Sequence, residues 1–253
     1  MSYEKYKDQL PHILTIVAQA GFQGVEAEVC MLGSLYEDAG RLREELDKNR
    51  LKLGALTLAL PWLHPKETEE EKREADRLFD YLKRFPEALL ILVPLPGPDR
   101  SHLAERQKHA LRCVNAVAER AHERGIVSAL HPNSPPGSVF RTSEDYKVMF
   151  DGMNTDVLGY CPDSGHIANG GMDVMELFAA SRSIIKHVHF KDVSAGKQWK
   201  AMGEGVIDHP AVVKLLADSG YQGWVMVEEE SKRAESEPDQ VTIGNGSYVF
   251  NEL

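Results

Sequence analysis

The 253-residue chain has no apolar run approaching the roughly 20 residues of a membrane span, and no basic leader followed by an apolar segment. Neither a bilayer span nor a signal peptide is therefore expected. Cysteine is scarce. Cys30, Cys113 and Cys161 are odd in number and far apart, which excludes a disulfide framework. Positive charge is also short: 29 Lys+Arg stand against 39 Asp+Glu, a net charge of −10 that argues against a nucleic-acid surface. What remains is a globular balance, 42% hydrophobic and 27% charged, without low-complexity linkers. A cytoplasmic protein of one domain over residues 1–253 is expected.

Short apolar runs alternate with amphipathic segments, the pattern of a parallel sheet wrapped by helices. Strands are expected at 24–28, 53–60, 88–95, 126–131, 157–163, 185–192 and 224–229. Helices are expected at 6–20, 34–49, 67–85, 101–124, 143–149, 174–179 and 210–218. Gly21, Gly125 and Gly220 fall where helices should end. The run Glu69-Glu70-Glu71-Lys72-Arg73-Glu74 reads as a solvated helix face. This is an α/β fold of the TIM (β/α)8 type, with seven strands where a full barrel has eight. No strand is expected before the first helix. The tail 231–253 is atypical, and Val241–Gly246 reads as a turn. Either the barrel is open, or the tail or another chain fills the gap; a homo-oligomer or a partner subunit would cover the exposed edge.

Barrel active sites lie at the carboxyl ends of strands. Four successive runs end there in polar residues: His131, Asp163, His189 and Glu228, separated by 32, 26 and 39 residues, about one strand–helix repeat each. Imidazole and carboxylate groups converging at one mouth suit a divalent metal ion. Residues two apart share a strand face, so His187, His189 and Lys191 point one way, as do Glu228 and Glu230. His187 should be a buried, hydrogen-bonded core histidine, while Lys191 reaches toward a substrate oxygen. Asp192, of opposite parity, reads as a turn or capping residue.

In the loop Asp163-Ser164-Gly165-His166, the glycine permits a tight turn that folds His166 back over the metal as a proton-transfer group. Trp62 and His64 are candidates for a substrate wall. Asn133 and Ser134 offer hydrogen bonds to hydroxyls, and Arg141 could take an anionic group or simply face solvent. Either Glu26 or Glu28 reaches the pocket from its strand. Gly203-Glu204-Gly205 reads as a flexible loop rather than a phosphate cradle.

Taken together, five stretches resemble the sugar phosphate isomerase/epimerase superfamily, the xylose-isomerase-like barrels that include endonuclease IV and inosose dehydratase. They are Ala20-Gly21-Phe22-Gln23-Gly24-Val25-Glu26, Asp163-Ser164-Gly165-His166, His187-Val188-His189-Phe190-Lys191-Asp192, Gly203-Glu204-Gly205, and Gly220-Tyr221-Gln222-Gly223-Trp224-Val225-Met226-Val227-Glu228. The second and third are closer to the inosose-dehydratase-like branch. The resemblance implies a divalent metal, Mn²⁺ first, with Zn²⁺, Mg²⁺ or Co²⁺ also suitable. It implies Asp163, His189 and Glu228 as three of the ligands, with His166 near substrate. The family places a glutamate where this chain has His131, which removes one member of the two-glutamate pair used by ketose epimerases. His131 is then a ligand or itself a base.

The expected activity is that of a metal-dependent isomerase or epimerase, removing a proton beside the carbonyl of a keto-sugar or cyclitol. His131 or Glu228 would be the base, and His166 and Lys191 would steer protons and charge. The alternatives are a dehydratase or lyase that expels a β-substituent, and a barrel subunit without catalysis. Endonuclease-IV-like DNA cleavage is disfavoured by the acidic charge.

Overall fold

The run KLGALTLAL has no polar face, and it forms a strand buried on both sides, as parallel strands covered by helices must be. The computed structural model describes residue 6 and residues 8–253. The first five residues and residue 7, on which the leader reading and part of the first expected helix rest, lie outside the described residues. The elements are α1 (Leu10–Gln19), β1 (Gly24–Glu28), α2 (Ala39–Asn49), β2 (Lys52–Leu60), α3 (Glu69–Leu82), β3 (Leu89–Pro94), α4 (Leu103–His122), β4 (Ser128–Leu130) and α5 (Ser143–Gly152). They continue as β5 (Leu158–Tyr160), α6 (Ser164–Asn169), α7 (Val174–Ser181), β6 (Val188–Phe190), β7 (Asp192–Val193), β8 (Trp199–Lys200), α8 (His209–Asp218), β9 (Val225–Val227) and α9 (Pro238–Glu252).

Strands β1 to β5 pair in parallel and in sequence order. Parallel bridges Tyr160–Ile185 and Asp163–His189 carry that order on to β6, which pairs with β9. Seven parallel strands thus follow one another around a shared interior, each reached through helix, in the manner of a (β/α)8 barrel. β7 and β8 form a small antiparallel hairpin that the strand pattern did not anticipate. Among the described residues no strand pairs between β9 and β1, and side chains occupy that space. A Cβ on Gly24 would come within 2.8 Å of the Trp224 ring, and one on Gly54 would run into the Met226 methyl.

The tail lies on this side of the molecule, because α9 packs on α1, the helix that leads into β1. A Cβ on Gly246 would run into the carbonyl oxygen of Ala20. Buried Asn245 accepts from the Met202 N–H (2.9 Å) and donates to Glu229 (2.7 Å). The expected turn over Val241–Gly246 is therefore corrected to helix. Its buried residues Val241, Asn245 and Gly246 form one face, and packing of that face outweighs a poor intrinsic propensity.

Smaller corrections have local causes. α1 begins at Leu10 rather than residue 6, with Pro11 in its first turn. The segment expected as one helix from residue 34 is a 3-10 turn, Gly33–Glu37, followed by α2, which Asp38 caps through the Gly40 N–H at 2.8 Å. Within the charged run of α3, Glu71 is buried. It completes a capping box with Thr68 and also accepts the Trp62 N–H at 3.0 Å. Gly203–Gly205 is held rather than loose, since Asp192 Oδ2 accepts the N–H groups of both glycines at 3.0 and 2.9 Å. All three cysteines are free thiols, and no helix among the described residues is long and apolar enough to cross a membrane.

Candidate active site

Strand ends deliver the site. β4 runs into His131, β5 into Asp163, β6 spans His189 and leads to Lys191, and β9 runs into Glu228. Asp163 has two tasks. Its Oδ1 accepts the His166 N–H at 2.6 Å and so caps α6, while its Oδ2 is buried without a hydrogen-bond partner. The segment expected as a loop is instead the first turn of a helix, because an Asp three residues before an N–H donor starts one. That turn holds His166 beside Asp163.

Tautomers follow from the partners. Lys191 can only donate, so its Nζ, 3.1 Å from His166 Nε2, meets a lone pair there. His166 Nδ1 therefore carries the hydrogen and donates to Ser134 Oγ at 2.8 Å. Burial, reinforced by the Lys191 charge, lowers the His166 pKa to about 3, so the ring is neutral at physiological pH. His189 differs: its Nε2 lies 2.9 Å from Glu26 Oε2 and its Nδ1 2.9 Å from Glu228 Oε2. Two carboxylate acceptors require two N–H donors. Burial opposes charge on this ring, but the Cys161 sulfur, Glu26 and Glu228 hold it well above the usual imidazole range.

Lys191 is buried and donates to Glu228 Oε1 (2.6 Å) and Glu230 Oε2 (2.9 Å). Burial works against both ions, yet Lys191 stays an ammonium through Glu228 and Asp163. Glu228 is driven well below the usual carboxylate range by Lys191 and His189. The Asp163 carboxyl is likewise lowered: burial raises it, and His166 and Lys191 more than offset that.

Ligand atoms of His131, Asp163, His166 and Glu228 lie within 4.8 Å of one another. His131 Nε2 is 3.7 Å from both Asp163 Oδ2 and Glu228 Oε2, too far for hydrogen bonds. Both nitrogens of His131 and the Asp163 Oδ2 are buried without partners, which costs about 1–3 kcal/mol per group if nothing binds them. Ligands at about 2.1 Å from an ion stand about 3 Å apart, so this spacing suits coordination after small shifts. Charge agrees. The carboxylates of Glu26, Asp163, Glu228 and Glu230 outnumber the cations Lys191 and His189, so net negative charge faces an ion, the more so once His189 gives up its Nδ1 proton to become a ligand. The donor set therefore fits such a metal.

The structure brings His131, Asp163, His166, His189, Lys191 and Glu228 together. His189 occupies an intermediate place: Nδ1 faces Glu228, while Nε2 joins a second group, Glu26 and His187. His187 is fully buried, with Nε2 2.7 Å from Glu26 Oε2. The substrate-wall candidates are placed otherwise. Trp62 is buried in the hydrophobic core, and His64 is exposed. Asn133 donates to the Pro94 carbonyl and accepts from Ser138, and Arg141 Nε donates to the Ser134 carbonyl at 2.8 Å. Both shape the loop that sets Ser134 against His166.

Four contributors were missed or left open. Glu26 and Glu28 share a strand face, so parity could not choose between them; the structure places Glu26 in the cluster and adds Thr57, whose hydroxyl donates to it. Glu230 was visible as the same-face partner of Glu228. Trp199 carried no signal: the β7–β8 hairpin sets its ring edge-on to His166 (5.2 Å) and under Lys191 Nζ (4.9 Å).

Residues 14–244 match the model of the xylose isomerase-like TIM barrel family. The chain belongs to that family. Among similar curated proteins is inosose dehydratase from Lacticaseibacillus casei, 24% identical over 262 residues, covering 91% of this chain and 85% of the relative. Among solved structures, the IolI protein with a binding zinc atom superposes with a TM-score of 0.76 at 19% identity, covering 96% of this chain and 91% of that one. The 3-keto-D-glucoside 4-epimerase from E. coli superposes at 0.75 with 15% identity, covering 97% and 95%. The sequence-level resemblance to the superfamily is thereby established, and the likeness to the two structures extends to the fold.

Proposed function

We propose that the protein is a divalent-metal-dependent enzyme that removes a proton beside the carbonyl of a keto-sugar or cyclitol and expels a hydroxyl β to that carbonyl, a dehydration. His131, Asp163, His189 and Glu228 would hold the ion, with His166 as a neighbouring donor. When bound, the metal supplies Lewis acidity to the substrate carbonyl. The observation that carries the reading is Glu228, an ionised carboxylate between Lys191 and His189 and 3.7 Å from the unpaired His131.

Glu228 takes the proton, and the electrons of the broken C–H bond form a carbon–carbon double bond as negative charge moves onto the carbonyl oxygen. Lys191, held as an ammonium, stabilises that charge. The β C–O bond then breaks, and the departing hydroxyl takes a proton to leave as water. His166, neutral and hydrogen-bonded to Ser134, is positioned to relay it. Trp199 excludes water from one side of His166 and Lys191.

Isomerisation or epimerisation is the second reading, favoured by the epimerase neighbour. It needs only that a proton return to carbon. Dehydration is placed first because His131 stands where a second catalytic glutamate would be, and because inosose dehydratases are among the similar curated proteins. The test is product analysis with metal-loaded protein on a panel of inososes and keto-sugars. Dehydration gives a conjugated product with rising ultraviolet absorbance, and epimerisation gives a stereoisomer of unchanged mass. Neither product from any member would overturn the proposal.

A further inference from the structure

Glu26 stands on β1 and meets His189 on β6 and His187 just before that strand. Its Oε2 lies 2.7 Å from His187 Nε2 and 2.9 Å from His189 Nε2, and its Oε1 accepts the Thr57 hydroxyl. All four side chains are buried or nearly so. A carboxylate with both oxygens engaged in this way is fixed in space. We propose that Glu26 is a positioning residue for metal binding: by accepting the Nε2–H of His189 it reserves that nitrogen for itself and leaves Nδ1, already turned to Glu228, as the only nitrogen His189 can offer an ion.

The physics is that of a carboxylate–histidine–metal chain. A ring nitrogen that donates to a carboxylate fixes both tautomer and ring orientation and raises the basicity of the opposite nitrogen. Thr57 and His187 act on Glu26 itself. Without them the carboxylate could rotate, and His189 would lose its fixed direction. The register shift between Val25 and Glu26, where the β1–β2 pairing slips by one residue, sets the depth at which Glu26 sits. With no strand paired between β9 and β1 among the described residues, Glu26 bridges from β1 to the strand paired with β9.

This inference rests on the metal-dependent reading above, and one experiment separates the two. Co²⁺ affinity is measured by competition titration for the parent, Glu26→Ala and the isosteric Glu26→Gln, with the visible absorption of bound Co²⁺ recorded. In the same zinc-loaded proteins, the Nε2–H proton of His189 is followed by nitrogen-edited NMR. Glu26→Ala should bind Co²⁺ roughly 10–100-fold more weakly, and its His189 Nε2–H signal should lose its downfield position and slow exchange. Glu26→Gln, whose amide oxygen still accepts one N–H, should fall between and carries the test should the alanine variant not fold. Parent-like affinity, within twofold, and an unshifted Nε2–H signal in the folded variants would overturn the inference alone. A parent that binds no Co²⁺ would overturn the metal-dependent reading and this inference with it.

Discussion

Lys191 Nζ lies 2.6 Å from Glu228 Oε1 inside the barrel, with the lysine side chain 1% exposed. A buried ammonium so placed keeps the neighbouring carboxylates charged. Breaking such a pair strands the partner charge and costs about 3–5 kcal/mol. Lys191→Met should therefore lower stability by that order in urea titration. It should also cut turnover by roughly 100-fold or more, because the charge facing the developing oxyanion is gone. A variant of parental stability and parental turnover would show the pair to be incidental.

Asp163 separates capping from ligation. Asparagine caps helices about as well as aspartate, but it brings no negative charge to an ion. Asp163→Asn should keep the far-UV spectrum of the parent while metal affinity falls by at least about 100-fold. Asp163→Ala should lose about a further 1 kcal/mol through the missing cap on α6.

Metal should also stabilise the fold. An ion that binds only the native state adds about 2.7 kcal/mol when present at one hundred times its dissociation constant. Chelation with EDTA should lower the melting temperature of the parent but leave that of Asp163→Asn nearly unmoved. Calorimetry with and without chelator reads the difference.

Outside the candidate ligands, Asp145 ties down the loop that carries Ser134. It accepts from Arg100 Nη2 at 2.8 and 2.9 Å, from Gln107, and from the N–H groups of Arg141 and Thr142. Burial raises its pKa, but those N–H donors and Arg100 bring it below the usual value. A carboxyl lowered on folding contributes stability above its unfolded pKa of about 3.9, and that contribution is lost as pH falls through the lower folded value. Asp145→Asn should thus be destabilised relative to the parent at pH 7, by about 1–3 kcal/mol. The gap should shrink at pH 3 and below. A gap that widened with acid would contradict this account.

The alternation of apolar runs with helices was enough to foresee the barrel, because burial on both faces writes itself into strands such as KLGALTLAL. Strand parity placed His187, His189 and Lys191 on one face, and Glu228 with Glu230, where the structure has them around the cluster. Depth was not legible. Glu26 and Glu28 share parity, and only the slipped register of β1 on β2 decides which one meets the histidines. The short helix α6 and the long helix α9 were missed for a related reason: α6 depends on one aspartate cap, and α9 on a tertiary face. Neither leaves a periodic mark.

Deuterium exchange from solvent into the carbon beside the carbonyl tests the central claim most directly. Metal-loaded parent and Glu228→Gln are compared in D₂O, with an inosose that the parent turns over, in the presence of accumulated product. The account predicts exchange or product-linked deuterium in the parent and a loss of about 100-fold or more in the variant. Undiminished incorporation by Glu228→Gln would remove Glu228 as the base. An α-deuterated substrate whose label stayed on that carbon in the dehydrated product would contradict proton abstraction beside the carbonyl altogether.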